Sequence, residues 1–381
     1  MARALSTKAA LGAALSLLTA LACVRAEAQD AGDVAVDPFT PPPDQAGFTT
    51  FSSTRTPGPW GVDGTLWLDY GFHPYQRRGP DPIQHRLSGT VAAQLGVLSR
   101  GAIALRMPMT FVQRGERAPG EPSLTSVAAG NPAIDGRIRL LGAPVRPDGS
   151  VQDGSALALR GVVHVPVGTS DAYFADGKWR TELDAIADIE LFGIGAGVSL
   201  GWVHRYDGDA PDDYAQAHML RLSTGLRLPL PLISRLLPGR VQESALLEVA
   251  VGTPARDFFA KAKTPVELRA GYRVVMGDLT GTLALGAGLT DGVGAADFRA
   301  IVGLGWSPRQ HDQDADGVPD GADKCVHLPE DRDGFEDGDG CADDDNDGDL
   351  IVDEDDRCPL EAAEMDRDED EDGCTDPDEG A

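Results

Sequence analysis

Between residues 60 and 306 apolar and polar positions alternate in segments of about ten residues, with no long apolar run. Ile103, Leu105, Met107, Met109 and Phe111 share one face of 102–112. Leu157, Leu159, Val163, Val165 and Val167 share another, with Arg160 and His164 opposite. Leu220, Leu222, Leu226 and Leu228 oppose Arg221, Ser223 and Arg227. Val266, Leu268, Ala270, Tyr272 and Val274 oppose Glu267, Arg269 and Arg273, and Phe298, Ala300, Val302, Leu304 and Trp306 close the series. Period two over this length predicts transmembrane β-strands, apolar toward lipid and polar toward a lumen.

Twelve such segments are predicted: 64–72, 87–98, 102–112, 134–141, 156–167, 183–191, 194–205, 219–228, 244–252, 266–275, 279–289 and 297–306. The number is even, as in single-chain bacterial barrels. The tightest connections, Ser99–Gly101, Phe192–Gly193 and Met276–Asp278, all follow even-numbered segments and so share one end. Most connections after odd segments are long, such as 113–133, 168–182, 206–218 and 253–265, while 142–155 and 229–243 run against the trend. Short turns on the periplasmic side and long loops outside are the outer-membrane arrangement. A soluble β-sandwich is the rival, since its strands alternate too.

The inner face carries Arg106, Arg137, Arg139, Arg160, Arg221, Arg227, Arg269, Arg273 and Arg299 against Asp135, Asp184, Asp188, Glu190, Glu248 and Glu267. Two interiors fit: a water-filled, arginine-rich pore, or a lumen stitched shut by ion pairs. Chemistry is poorly signalled. The seven histidines are scattered, no hydrolase, metalloprotease or phosphate-loop motif occurs, and His164 and Ser199 read as lumen filling. The chain is read as a non-enzyme.

Charge divides the chain. Residues 308–381 hold 31 Asp/Glu against 5 Lys/Arg, a net of −26, whereas the first 307 residues hold 30 against 28, a net of −2. The acidity argues against nucleic acid as a partner. Residues 1–28 read as a secretory signal, with Arg3 and Lys8 before an apolar stretch and Ala26-Glu-Ala28 at the cleavage site. Ala20-Leu21-Ala22-Cys23 is a poor lipoprotein box. Cleavage after Ala28 leaves four cysteines, which in an oxidising compartment imply disulfides. Of the three possible pairings, Cys325–Cys341 and Cys358–Cys374 are favoured, each within one repeat. The resulting division is signal 1–28, linker 29–59, barrel 60–307 and repeats 308–381.

The repeats are one 33-residue unit written twice. Asp312, Asp314, Asp316, the carbonyl of Val318 and Asp323 have the spacing of a calcium loop, with Gly317 at the sharp turn. Asp345, Asp347, Asp349, Ile351 and Asp356 repeat it, but Leu350 stands where glycine is wanted, which predicts a strained turn and a weaker site. A solvated, disordered acidic tail is the bland alternative. Pro319, Gly321 and the glycines near 340 exclude flanking helices.

The pattern resembles the thrombospondin type 3 repeat, on Asp312-x-Asp314-x-Asp316-Gly317-x-x-Asp320-x-x-Asp323-x-Cys325 and Asp331-x-Asp333-Gly334-Phe335-x-Asp337-x-Asp339-Gly340-Cys341. Asp345-x-Asp347-x-Asp349 and Asp353-x-x-Asp356-x-Cys358 follow in the second copy, whose closing half departs at Met365–Asp368. The resemblance implies a coreless string wrapped around Ca²⁺ and disulfides, with Asp320, Asp331, Asp333, Asp337, Asp339 and Asp353 joining the ligands. Signal, barrel and repeats together resemble a group of Gram-negative OmpA-like outer-membrane proteins, in which the repeats lead to a peptidoglycan-binding domain. That domain is expected to be lacking here. The expected class is therefore all-β, an antiparallel transmembrane barrel of about twelve strands followed by a calcium-binding string. Its expected partners are outer-membrane lipid, calcium ions, and the cell wall or another envelope protein. The expected function is a passive channel with a periplasmic spacer; a calcium-dependent surface adhesin with outward-facing repeats is the alternative.

Overall fold

The computed structural model describes residues 39–75, 83–116, 125–142, 154–169, 174–175, 178–206, 218–232, 241–260, 263–290 and 294–308. It also describes 314–375 except 315, 317, 319–322, 332, 334, 337–338 and 364–371. The predicted signal segment and the first part of the predicted linker lie outside these residues. Two compact units divide the chain, the first running to Pro308 and the second holding the repeats.

The first unit is one closed antiparallel sheet. Its strands are β1 (Val62–Tyr75), β2 (Ile83–Val97), β3 (Gly101–Arg114), the two-residue β4 (Ala128–Ala129), β5 (Ala133–Leu141), β6 (Gly154–His164) and β7 (Arg180–Leu191). They continue as β8 (Ile194–Arg205), β9 (His218–Pro229), β10 (Val241–Pro254), β11 (Val266–Met276), β12 (Leu279–Gly288) and β13 (Phe298–Trp306). Each main strand pairs with the next, β3 pairs with β5, and β1 pairs with β13 from Gly64↔Trp306 to Phe72↔Phe298. The ring thus has twelve strands, with β4 an appendage on β3. The sandwich reading fails because no second sheet exists among the described residues and the single sheet has no free edge.

Strand boundaries follow local chemistry. β6 stops at His164, short of the predicted 167, because Pro166 has no N–H to give the ladder. The turn after β7 has Phe192 at φ 53° and Gly193 at φ 79°, two left-handed residues that match the twist of a two-residue hairpin. This turn, the 98–100 turn and the 277–278 turn lie at one end, where β1 begins and β13 ends.

The polarity is inverted relative to a soluble protein. Leu183, Leu283 and Leu285 on the outer face are 59%, 61% and 58% exposed, while Arg160, Glu248, Arg269, Arg273 and Arg299 are buried in the lumen. All the charged residues predicted to face inward do so. An apolar exterior of this extent lowers free energy only against an apolar solvent. Trp202, Trp179 and Tyr206 toward one rim, and Trp306 and Phe192 at the other, supply exposed aromatics at both ends.

Candidate functional site

Residues 39–56, which the sequence marks only as part of a linker, occupy the barrel lumen. Phe39, Phe48, Phe51, Asp44, Thr49, Ser52, Ser53, Thr54 and Thr56 are all buried. The segment ends at 57–61, where Gly96 N donates to Gly61 O and Trp60 N to Gly96 O, and the chain passes directly into β1.

The wall holds this segment mainly by polar contacts. Glu248 of β10 accepts four hydrogen bonds: from Thr49 N at 2.8 Å, Thr49 Oγ1 at 3.0 Å, Thr50 N at 3.1 Å and Thr50 Oγ1 at 2.9 Å. Arg137 of β5 pairs with Asp44 at 2.7 Å, and Asp188 of β7 accepts from Thr54 N at 2.6 Å. Trp67 Nε1 donates to Pro42 O at 3.1 Å, and Arg55 reaches Glu190 at 3.3 Å. Bonds to a charged group contribute about 1.5–3 kcal/mol each, so Glu248 is the strongest single fastening. Apolar contacts finish the seat. Phe48 and Phe51 stack at 4.7 Å over Ala158, Ile186 and Leu246, and Phe39 meets Trp67 edge-on at 6.3 Å beside Ala284 and Ile301.

Small wall residues make room. A Cβ at Gly225 would lie 2.4 Å from the Phe48 ring, and one at Gly303 would lie 2.6 Å from the Trp67 ring and 2.8 Å from Gln45. Glycine is therefore required there by close approach. A cavity of about 140 Å³ remains between Thr40, Thr50 and Ser52 of the segment and a wall that includes Arg160, Glu182, Arg221 and Arg269. The lumen is thus neither an open pore nor a space filled by wall side chains alone; the chain's own segment fills much of it. Unabsorbed phenylalanines at 39, 48 and 51 and inward glycines at 225 and 303 were the available sequence signals.

In the repeats, Cys325–Cys341 and Cys358–Cys374 are at bonding distance, 1.99 and 2.01 Å, as favoured. The two copies share one wiring. Asp323 Oδ1 accepts from Cys325 N and Asp356 Oδ1 from Cys358 N, both at 2.7 Å. Lys324 pairs with Asp339 at 2.7 Å and Arg357 with Asp372 at 2.6 Å. Asp316 Oδ2 accepts from Glu330 N at 3.2 Å and Asp349 Oδ2 from Ala363 N at 2.9 Å.

Asp314, Asp316 and Asp323 bring carboxylate oxygens within 4.8 Å of one another, and so do Asp345, Asp347 and Asp349. Asp314, Asp323, Asp347, Asp353 and Asp356 each carry a buried oxygen with no hydrogen-bond partner among the described residues, which fits an oxygen-seeking cation. Val318 N and Ile351 N close the turns onto Asp316 and Asp349 at 2.7 and 2.9 Å. The remaining predicted ligands are placed differently. Asp339 is tied to Lys324, and Asp333 accepts from Phe335 N and Asn346 Nδ2. Those bonds hold both carboxyls below the usual carboxylate range. Asp331 donates its N–H to Glu330, and Asp353 accepts from Asn346 N. Asp312, Asp320 and Asp337 lie outside the described residues. Glu330 and Asp343, absent from the predicted set, also present oxygens without a hydrogen-bond partner among the described residues; desolvation and neighbouring carboxylates push Asp343 up.

No protein-family model matches the chain, and no curated protein does. Among solved structures it is similar to an outer-membrane channel from Pseudomonas putida F1, 10% identical over 68% of this chain and 98% of that one, with a TM-score of 0.46. The NanC porin follows at 8% identity, 65% and 98% coverage and a TM-score of 0.38. LpxR from Salmonella typhimurium follows at 9%, 64% and 99%, with 0.35.

Proposed function

We propose that this chain is a non-enzymatic outer-membrane barrel that acts as a gated passive channel, closed by residues 39–56 and extended into the periplasm by a calcium-binding spacer. The carrying observation is a charged lumen inside an apolar exterior, occupied by a segment that hydrogen bonds hold in place. Outer-membrane lipid covers the outer face. The short-turn end faces the periplasm, and β13 ends there. The repeats bind Ca²⁺ through Asp314, Asp316 and Asp323 and through Asp345, Asp347 and Asp349, a reading supported by the thrombospondin type 3 resemblance and by the unpartnered carboxylate oxygens. The spacer reaches toward the cell wall or an envelope partner, as in the OmpA-like group it resembles. Single-channel recording in planar bilayers tests the gate. The whole chain should conduct rarely, and a chain lacking 39–56 should give long-lived ohmic steps. Indistinguishable currents from the two would overturn the gated-channel reading.

A further inference from the structure

One ion-pair network in the barrel wall, on β3, β5, β6, β7 and β9, does not balance among the described residues. Arg106 lies 3.6 Å from Asp135, which pairs with Arg160 at 2.6 Å. Arg160 pairs with Asp184 at 2.7 Å, and Arg221 bridges Asp184 at 3.2 Å and Glu182 at 2.7 Å. Glu182 lies 3.5 Å from Arg180. His164 sits among them without adding charge. The Glu182 carboxylate can only accept, so Nε2 donates to it at 2.9 Å and the neutral ring leaves Nδ1 to accept from Arg180 Nη2 at 3.1 Å. Among the described residues of this network four guanidinium groups face three carboxylates, which leaves one positive charge over.

The excess has a location. Arg106 and Arg180 are 3% and 9% exposed; Arg106 Nε and Arg180 Nε face Asp135 and Glu182 only at 3.6 and 3.5 Å, without a hydrogen bond, and Arg106 Nη2 has no hydrogen-bond partner among the described residues. Both arginines line one small cavity of about 20 Å³, together with Phe39 and Thr40 of the luminal segment and Phe174. No carboxylate among the described residues lines it. The space suits one particle of about water size. Buried donors without partners and a buried charge without a counter-charge are both costly, and both costs vanish together only with an anion.

We propose that this cavity binds a monovalent inorganic anion of halide size. A water molecule would satisfy donors but leave the charge, and a cation would meet two arginines. The buried rings of Phe39 and Phe174 give the cavity an apolar side, so a bound halide is less screened there than in bulk water. The site also fastens the luminal segment. Thr40 and Pro41 belong to its lining, and Arg106 Nη1 donates to Pro41 O at 3.4 Å. Because the anion binds the assembled lumen and not the unfolded chain, it stabilises the plugged barrel by mass action.

The test is crystallography of the whole chain grown in bromide, with data collected at the bromine edge. The expected result is an anomalous peak between Arg106 and Arg180 that is lost in Arg106→Gln, or in Arg180→Gln should the first variant not fold. Melting of the detergent-solubilised chain should rise when chloride replaces the larger isethionate at fixed ionic strength, and Arg180→Gln should remove that difference. The anomalous map decides. A cavity holding only water in bromide-grown crystals overturns the proposal whatever the melting shows, and leaves the channel reading untouched because that rests on current.

Discussion

Leu350 shows how far a single position can be read. Loop spacing requires a sharp turn there, and the residue sits at φ 79°, a left-handed conformation that glycine takes freely and leucine does not. The turn still points Leu350 N at Asp345 Oδ2, 3.0 Å away. Leu350→Gly should remove about 1 kcal/mol of strain and raise the calcium affinity of the second site roughly fivefold. Calorimetry on the whole chain showing equal or weaker binding would mean that the strain is not coupled to the metal. In the barrel, neighbouring residues meet opposite solvents. Leu222 is exposed on the outer face and Ser223 lines the inner cavity. Leu222→Arg should cost about 2–4 kcal/mol near the bilayer midplane, and Ser223→Arg distinctly less. Urea unfolding in lipid vesicles measures both, and equal costs would contradict a lipid-facing Leu222. Glu248 was legible as an inward carboxylate, but its four bonds to Thr49 and Thr50 were not. Those partners stand 198 and 199 positions away, and no local pattern encodes such a contact.

At the scale of elements, legibility followed periodicity. All twelve ring strands appear where alternation places them, because each must present one face to each solvent and a one-residue slip would exchange the faces. The two-residue β4 was missed, being too short to show a period. The luminal segment was missed for a different reason. It has no repeating geometry, its prolines and threonines read as linker, and its burial comes from a wall that exists only once the ring has closed. Its fit is nevertheless specific. Gly225→Val should drive Phe48 from its seat, since the added Cβ would already lie 2.4 Å from the ring. Gly161→Val meets nothing within 4 Å and serves as the control. Limited proteolysis in detergent should cut within 39–56 in the first variant and spare that stretch in the second. Protection in both would show that the segment can repack.

For the whole molecule, the two units are different materials. The barrel is nearly neutral, and the repeats carry a net charge of −26 with two disulfides and no helix or strand among their described residues. Their carboxylates repel until a cation arrives. The whole chain should bind calcium with an affinity of order 10⁻⁴–10⁻³ M, and a chain ending at Pro308 should not. Equal uptake by the two chains would remove calcium from the account of the repeats. Orientation is tested by cysteine labelling of intact cells. Val127→Cys, on a connection at the long-loop end, should react from outside, and Arg100→Cys at the short-turn end should not. The reverse pattern would place the chain's exit from the barrel at the cell surface and favour adhesion over a periplasmic spacer.

The stretch from Pro57 to Gly61 makes the luminal segment a ligand bound to its own receptor. Tethered this closely, it faces its site at an effective concentration of about millimolar. Weak individual contacts therefore suffice to keep it bound, and a free peptide of the same sequence at micromolar concentration would seldom compete. In the proposed gate, closure depends on covalent continuity as much as on affinity. A protease site inserted between Pro57 and Gly61 would turn an equilibrium gate into a single irreversible opening. Cleavage of the reconstituted protein should then raise conductance permanently, with release of a fragment that begins ahead of Phe39 and ends at the cut.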